Sequence, residues 1–441
     1  MKKSVWTDEV KMPSFNNLEG DKRCEVLIIG GGLCGILCAY YLKNKGIDCV
    51  VVEGGHIAGG ITENTTGKIT YLHSLIYSDL LLTYGKEKAQ MYLKANMEAM
   101  EEYKKLCENI ECEFEIKDAY TYSRKSRVLI EREVRCIEAL GGECEFCEKT
   151  ELPFEIKGAV KAPGQAQFNP LMFIKEIAKD LNIFENTFAY GIENGAAVTD
   201  MGRIQTEKII VCTHFPFLNK HGSYFLKLYQ HRSYVAAFEN VPTLSGMYVD
   251  EDMKGMSFRS YKNLMLIGGG GHRTGKKGTA WSEAEEFARN CYPLAKLKYE
   301  WAAQDCMSLD KVPYIGKYSK NTPDLYVATG FNKWGMSNSM VAARLLSDMV
   351  LGKENEYEPL FLPQRKILHP QLLINGIEST VNLLTPTTRR CSHLGCALKW
   401  NRYEHTWDCP CHGSRFSETG EVIDNPAMHN IGTNGCCNQR K

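Results

Sequence analysis

The chain has no excess of either charge. Across its 441 residues Lys and Arg together number 53, and so do Asp and Glu. Without a net field there is no electrostatic ground for expecting nucleic acid or an anionic membrane as a partner. Long apolar runs are missing too: nothing approaches the ~20 consecutive apolar residues of a spanning helix, which excludes an ordinary helical membrane protein. No apolar run precedes Val26, so neither a signal peptide nor an anchor is expected at the start. The hydrophobic share, 44%, is that of a soluble globular chain with room for two or three domains. Cysteine, by contrast, is plentiful at 18 residues. Most are scattered singly, as Cys38, Cys49, Cys107, Cys136 and Cys212 are, and they read as reduced, mostly buried thiols of a cytoplasmic protein. Cys144 and Cys147 form a lone C-x-x-C with no thioredoxin pattern around it, and Cys436-Cys437 lies in a polar tail expected to be unstructured.

Six residues near the C-terminus form the most specific pattern. Cys391-Ser-His393-Leu-Gly-Cys396 is followed by Cys409-Pro-Cys411-His412-Gly-Ser414. Two thiolates on one iron and two imidazoles on the other would hold a 2Fe-2S cluster at raised potential; four such ligands would equally hold a structural zinc ion. Zinc leaves two of the cysteines unexplained.

At the other end, Cys24 to Ile29 is a β-branched run that leads into Gly30-Gly-Gly32-Leu-Cys-Gly35, after which Ile36 to Lys45 reads as a helix. Gly30 permits a tight turn, Gly32 lets backbone approach a pyrophosphate, and Gly35 lets helix and strand pack closely. A second apolar strand, Cys49 to Val52, ends in Glu53, placed to accept hydrogen bonds from an adenosine ribose. That fingerprint alone leaves FAD and NAD both open. Gly268 to Gly271 follows the strand Leu264 to Ile267 without a helix start, and reads as a tight turn or close backbone approach. Lys86 to Ile110 carries Ala89, Leu93, Met97, Met100, Tyr103 and Cys107 at helical spacing, and Ser337 to Leu351 is a second expected helix.

The two cysteine boxes resemble the C-T-H-L-G-C and C-P-C-H-G-S of Rieske proteins, with Ser392 in place of Thr. The resemblance implies that Cys391, His393, Cys409 and His412 ligate the cluster and that Cys396 and Cys411 form a disulfide between its loops. Phe416 stands where high-potential members have a Tyr donor to a cluster sulfur, while Ser414 is kept. The implied potential therefore lies low in the Rieske span of about −150 to +300 mV. Trp400 and Trp407 are expected in the small core.

Further segments resemble the D-amino-acid-oxidase-like flavoproteins. These are Ala58 to Lys68, with Gly60, Thr62 and Gly67; Gly164 to Pro170 before an amphipathic helix; Ile209 to Pro216, with Thr213 and His214; and Pro323 to Met336, with Gly330 and Gly335. The resemblance implies that Gly60, Thr62, Gly67, Lys68, Thr213, Gly330, Gly335 and Met336 wrap FAD. It also implies an α/β chain: a Rossmann-like FAD domain of the glutathione-reductase type, a mixed-sheet substrate domain and a small β-rich cluster domain. FAD-domain segments are expected at about 20–80, 160–218 and 310–352, and substrate-domain segments at 81–159 and 219–309. A Glu- and Pro-rich exposed linker at 353–375 and a shortened Rieske domain at 376–430 would follow.

In this superfamily an arginine often holds the substrate carboxylate, as suits a bidentate guanidinium. The candidates are Arg259 and Arg273, with His272 to take a proton and Lys333 in the glycine turn; His214 is expected to pack in its turn. The implied activity is a dehydrogenase that oxidises a small amine or amino-acid-like molecule by hydride transfer to FAD, with electrons leaving through the cluster to a one-electron acceptor protein. A flavin/iron-sulfur electron-transfer or redox-sensing protein with no amine substrate is the alternative. Both arginines turned away from the flavin would favour it. Electrons entering through the cluster, as in a reductase, is a third possibility.

Overall fold

The computed structural model describes residues 3–219, 221–366 and 369–431. Three sheets organise it. The first is largely parallel, in the order Tyr314–Ser319, Thr322–Thr329, Arg203–Val211, Lys22–Ile29, Cys49–Val52 and Ile183–Phe184, with the hairpin Ala189–Glu193 and Ala196–Thr199 against Arg203–Val211. Val26 to Ile29 and Cys49 to Val52 are buried on both faces. A parallel sheet covered by helices selects such unbroken apolar runs. The glycine-loop helix Leu33–Lys43 and the long helix Gly335–Val350 cover one face. Strands Lys22–Ile29, Cys49–Val52, Arg203–Val211 and Thr322–Thr329 all run in one direction and end along one edge.

The second sheet is mixed, in the order Lys296–Ser308, Leu228–Glu239, Leu264–Arg273, Ser257–Tyr261, Met247–Asp250, Glu115–Ser123, Gly158–Gln167 and Lys68–Ile69. Met247–Asp250 and Glu115–Ser123 are its parallel pair. Lys68–Ile69 and most of Gly158–Gln167 come from stretches expected in the FAD domain, yet they pair into this sheet. The Gly268 to Gly271 run is not a turn: the strand continues through it to Arg273, and a Cβ on Gly270 would lie 2.0 Å from the Ala280 carbonyl oxygen. The helix expected from Lys86 is present, preceded across a break at Gly85 by a further helix that starts at Ile76.

The third sheet is a four-stranded antiparallel meander, Lys399–Asn401, Thr406–Asp408, Arg415–Phe416 and Val422–Asp424. Trp400 is 40% exposed and so does not fill its core, whose buried members include Leu398, Phe416 and Ala427. The stretch expected as an exposed linker is partly folded. Leu360 and Phe361 are fully buried, and Arg365 pairs with buried Asp310 at 2.7 Å. A helix then runs from Pro370 to Leu384, capped by His369. Cys436 and Cys437 lie outside the described residues. Among those described, no helix is long and apolar enough to cross a membrane.

Candidate active site

The strand ends of the first sheet open into a cavity of about 1980 Å³, whose other walls come from the second and third sheets. That exceeds the usual pocket for one small ligand and suits a dinucleotide with a substrate beside it. Gly30, Gly32, Glu53, Gly60, Thr62, Lys68, Thr213, Gly330, Gly335 and Met336 all line it. Gly35 and Gly67 do not, and their reason is local. A Cβ on Gly35 would lie 1.9 Å from the Gly30 carbonyl oxygen; one on Gly67, whose φ is +65°, would lie 2.6 Å from that of Phe168. Glu53 closes the turn by accepting from the Gly31 and Gly55 N–H groups at 2.7 and 2.9 Å. Burial raises its pKa. Thr62 Oγ1 accepts from the Leu33 N–H at 3.1 Å, tying the second glycine segment to the start of the first helix. Trp6, buried near the N-terminus, donates to the Thr65 carbonyl at 2.8 Å and supports that segment from below.

The cations separate clearly. Arg259 is 1% exposed and is spent on backbone, donating to the Thr66, Gly67 and Ser260 carbonyls. Arg273 donates to the Pro410 and Cys411 carbonyls and to Asn375 Oδ1. His272 stacks on Tyr234 and faces the Gly270 carbonyl. None of the three lines the cavity. Their expected place beside substrate is therefore corrected: one arginine braces the glycine segment and the other clamps the third sheet. Lys333 does line it. It lies deep in the fold, which lowers its pKa against the opposing pull of Asp305, yet its side chain is exposed because it projects into the open cavity. Among the described residues its ammonium has no hydrogen-bond or ion-pair partner. Lys68, by contrast, is buried, 3.3 Å from the Tyr248 carbonyl, with its pKa lowered to about 7 by desolvation.

The second centre lies in the third sheet's loops. The His393 and His412 rings stand perpendicular, 4.9 Å apart, and the Nδ1 of each is buried without a partner. Two buried, unpartnered imidazole nitrogens are costly unless a metal takes them. Cys391 and Cys409 are buried beside them, in contact with each other, so the donor set fits a two-thiolate, two-imidazole cluster. Neighbouring thiols hold Cys409 well below the ordinary cysteine pKa. The expected Cys396–Cys411 bridge is not formed in this structure. Both are free thiols, but their sulfurs lie within 4.8 Å of each other and of Cys409. Ser414 Oγ accepts from the Ala427 N–H at 3.0 Å, and Phe416 is fully buried.

Residues 25–349 match the model of the FAD dependent oxidoreductase family, and residues 371–434 that of the Rieske [2Fe-2S] domain. The chain belongs to the FAD dependent oxidoreductases and carries a Rieske domain. The first match is to a family that depends on FAD, and the second to a domain that carries a 2Fe-2S cluster. A Bacillus subtilis protein described as a Rieske 2Fe-2S iron-sulfur protein, YhfW, is 33% identical over 96% of each chain. Glycine oxidase from Geobacillus kaustophilus shares the fold at TM-score 0.68 and 18% identity, covering 79% of this chain and all of its own. L-proline dehydrogenase from P. horikoshii does so at 0.66 and 18%, covering 79% and 98%.

How this oxidoreductase joins its two centres is not written in any motif. Asn425 of the Rieske domain donates to the Thr213 and Phe215 carbonyls at 2.6 and 3.0 Å, and Gln304 donates to the Gly413 carbonyl at 2.9 Å. Ala427, Met428, His429 and Asn430 form part of the cavity wall. His214 also lines that wall, with Nε2 3.1 Å from Gln230 Oε1. Cys34, Cys38 and Cys212 bring three buried sulfurs within 4.8 Å of one another beside the glycine loop. Spacing on one helix predicts the first two together, but nothing local predicts the third.

Proposed function

We propose that this chain is a cytoplasmic dehydrogenase that oxidises a small amine or amino-acid-like anion and passes the electrons singly, through the Rieske domain, to a one-electron acceptor protein. One observation carries the proposal: the glycine loop, the Lys333 turn and the end of the Rieske domain are walls of the same cavity. Substrate oxidation and one-electron exit can then share a single enclosed site. FAD, when bound, supplies the hydride acceptor, and the Rieske cluster supplies a one-electron carrier.

The chain's own part is orientation and charge. Lys333 holds the substrate's anionic group, as a compact cation in place of the guanidinium that Arg259 and Arg273 do not provide. Gly335 and Met336 open the helix Gly335–Val350 toward the cavity, where its N-terminal dipole favours negative charge on the bound cofactor. Neighbours named for glycine and L-proline support an amino-acid-like substrate for this fold.

A second reading is a flavin/iron-sulfur electron-transfer protein with no amine substrate. The observation favouring it is that no arginine lines the cavity among the described residues. Anaerobic mixing of the purified holoprotein with a panel of amines and amino acids separates the two. Bleaching of the flavin band, followed by a rhombic Rieske signal in electron paramagnetic resonance, is the expected result. Bleaching by dithionite but by no amine would leave the second reading.

A further inference from the structure

We infer that the turn Thr213-His214-Phe215 is the electron bridge between the two centres, with the Phe215 ring its contact to the cluster. The inference rests on the proposed exit of electrons through the Rieske domain. Thr213 and His214 line the FAD cavity. The next residue, Phe215, is fully buried with its ring 6.4 Å from that of His393 and 6.3 Å from that of His412. One ring thus touches both histidine ligands, and its backbone neighbours form the cofactor's wall. The turn is held from three sides. Thr329 Oγ1 donates to the His214 carbonyl, Gln230 meets the His214 ring, and Asn425 donates to both the Thr213 and Phe215 carbonyls. His214 itself is held at φ +65°, a conformation a non-glycine residue keeps only when its surroundings impose it.

The orientation has a chemical consequence. A cluster held by His393 and His412 would present these two imidazoles to Phe215, and His412 is only 2% exposed. A 2Fe-2S cluster would carry one electron at a time, so the two electrons of a substrate oxidation would leave in two steps, with the one-electron acceptor protein reoxidising the cluster between them. Phe215 is a positioning residue in this scheme. It fills the gap and is itself neither oxidised nor reduced.

Laser-flash reduction of the anaerobic holoprotein by a photogenerated deazaflavin donor tests the bridge without any substrate. Redistribution between the flavin and cluster bands that is independent of protein concentration is intramolecular transfer, in either direction. In Phe215→Leu this phase should slow roughly tenfold, equivalent to about 1.4 kcal/mol of barrier, while cluster g values and both midpoint potentials stay put. Phe215→Tyr should restore the rate. Phe225→Leu serves as control, since that ring lies 6.2 Å from His412 but its chain neighbours Tyr224 and Leu226, unlike Thr213 and His214 beside Phe215, do not line the cavity; it should leave the phase unchanged. An unchanged rate in Phe215→Leu, or equal slowing in Phe225→Leu, overturns the bridge. Absence of the phase in the wild-type protein overturns instead the reading on which it rests.

Discussion

Lys333 sits in a turn with three left-handed residues in four. Gly330, Asn332 and Lys333 have φ of +73°, +52° and +71°. Two left-handed non-glycine residues in succession store on the order of 1–3 kcal/mol each, and Asn332 offsets this by accepting from the Ser308 N–H at 2.9 Å and donating to the Gly330 carbonyl. A lysine presented at that cost is expected to serve the cavity. Lys333→Met should raise KM for the anionic substrate at least about tenfold, the loss of one charge-assisted hydrogen bond, with FAD content unchanged. Because burial lowers its pKa, the cation is lost as pH rises through a range below that of ordinary lysine. Substrate affinity should fall over that range in the wild type and stay flat in the variant. At the cluster, Phe416→Tyr should raise the midpoint potential in a redox titration by adding a donor toward a sulfur; no rise would mean the hydroxyl does not reach it.

At the scale of elements, the third sheet is docked by charge. Glu404 accepts from Arg232 Nε at 3.1 Å, Tyr234 at 2.9 Å and Arg415 at 2.8 Å, and Arg415 also meets Asp408 and Asp424. The two guanidinium groups lower the Glu404 pKa from its ordinary 4.5 to about 2, outweighing its burial. A carboxylate depressed in the folded state stabilises fully above pH 4.5, and that contribution is lost as pH falls toward 2. The Rieske domain should therefore loosen over this window, read as proteolytic cleavage near residue 390. Glu404→Gln should produce the same loosening at neutral pH, because it leaves the buried Arg232 without its carboxylate while Arg415 keeps Asp408 and Asp424, a loss of about 3–5 kcal/mol.

The elements also show what a sequence can carry. The glycine loop, the Glu53 strand end and the cysteine boxes were legible because turn geometry and ligand spacing act within a few residues. The destinations of Arg259 and Arg273 were not: their partners Thr66 and Pro410 lie 193 and 137 residues away. In the stretch expected as an exposed linker, the burial of Leu360 and Phe361 is likewise set by distant packing. Arg365 in the same stretch pairs with Asp310, 55 residues upstream.

For the whole molecule, the cavity's construction ties the fate of one cofactor to the other. Protein lacking iron, or Cys391→Ala, should release FAD faster than the holoprotein in a dilution assay, because the loops that carry Ala427 to Asn430 also shape the cluster site. Equal release rates would show that the wall stands without the cluster. The same feature bears on biogenesis. The strands of the first sheet precede residues 427–430 in the chain, so they emerge from the ribosome before the segment that walls them in. Maturation then has a preferred order, flavin before iron, and a cell short of iron would accumulate a protein that cannot keep its flavin.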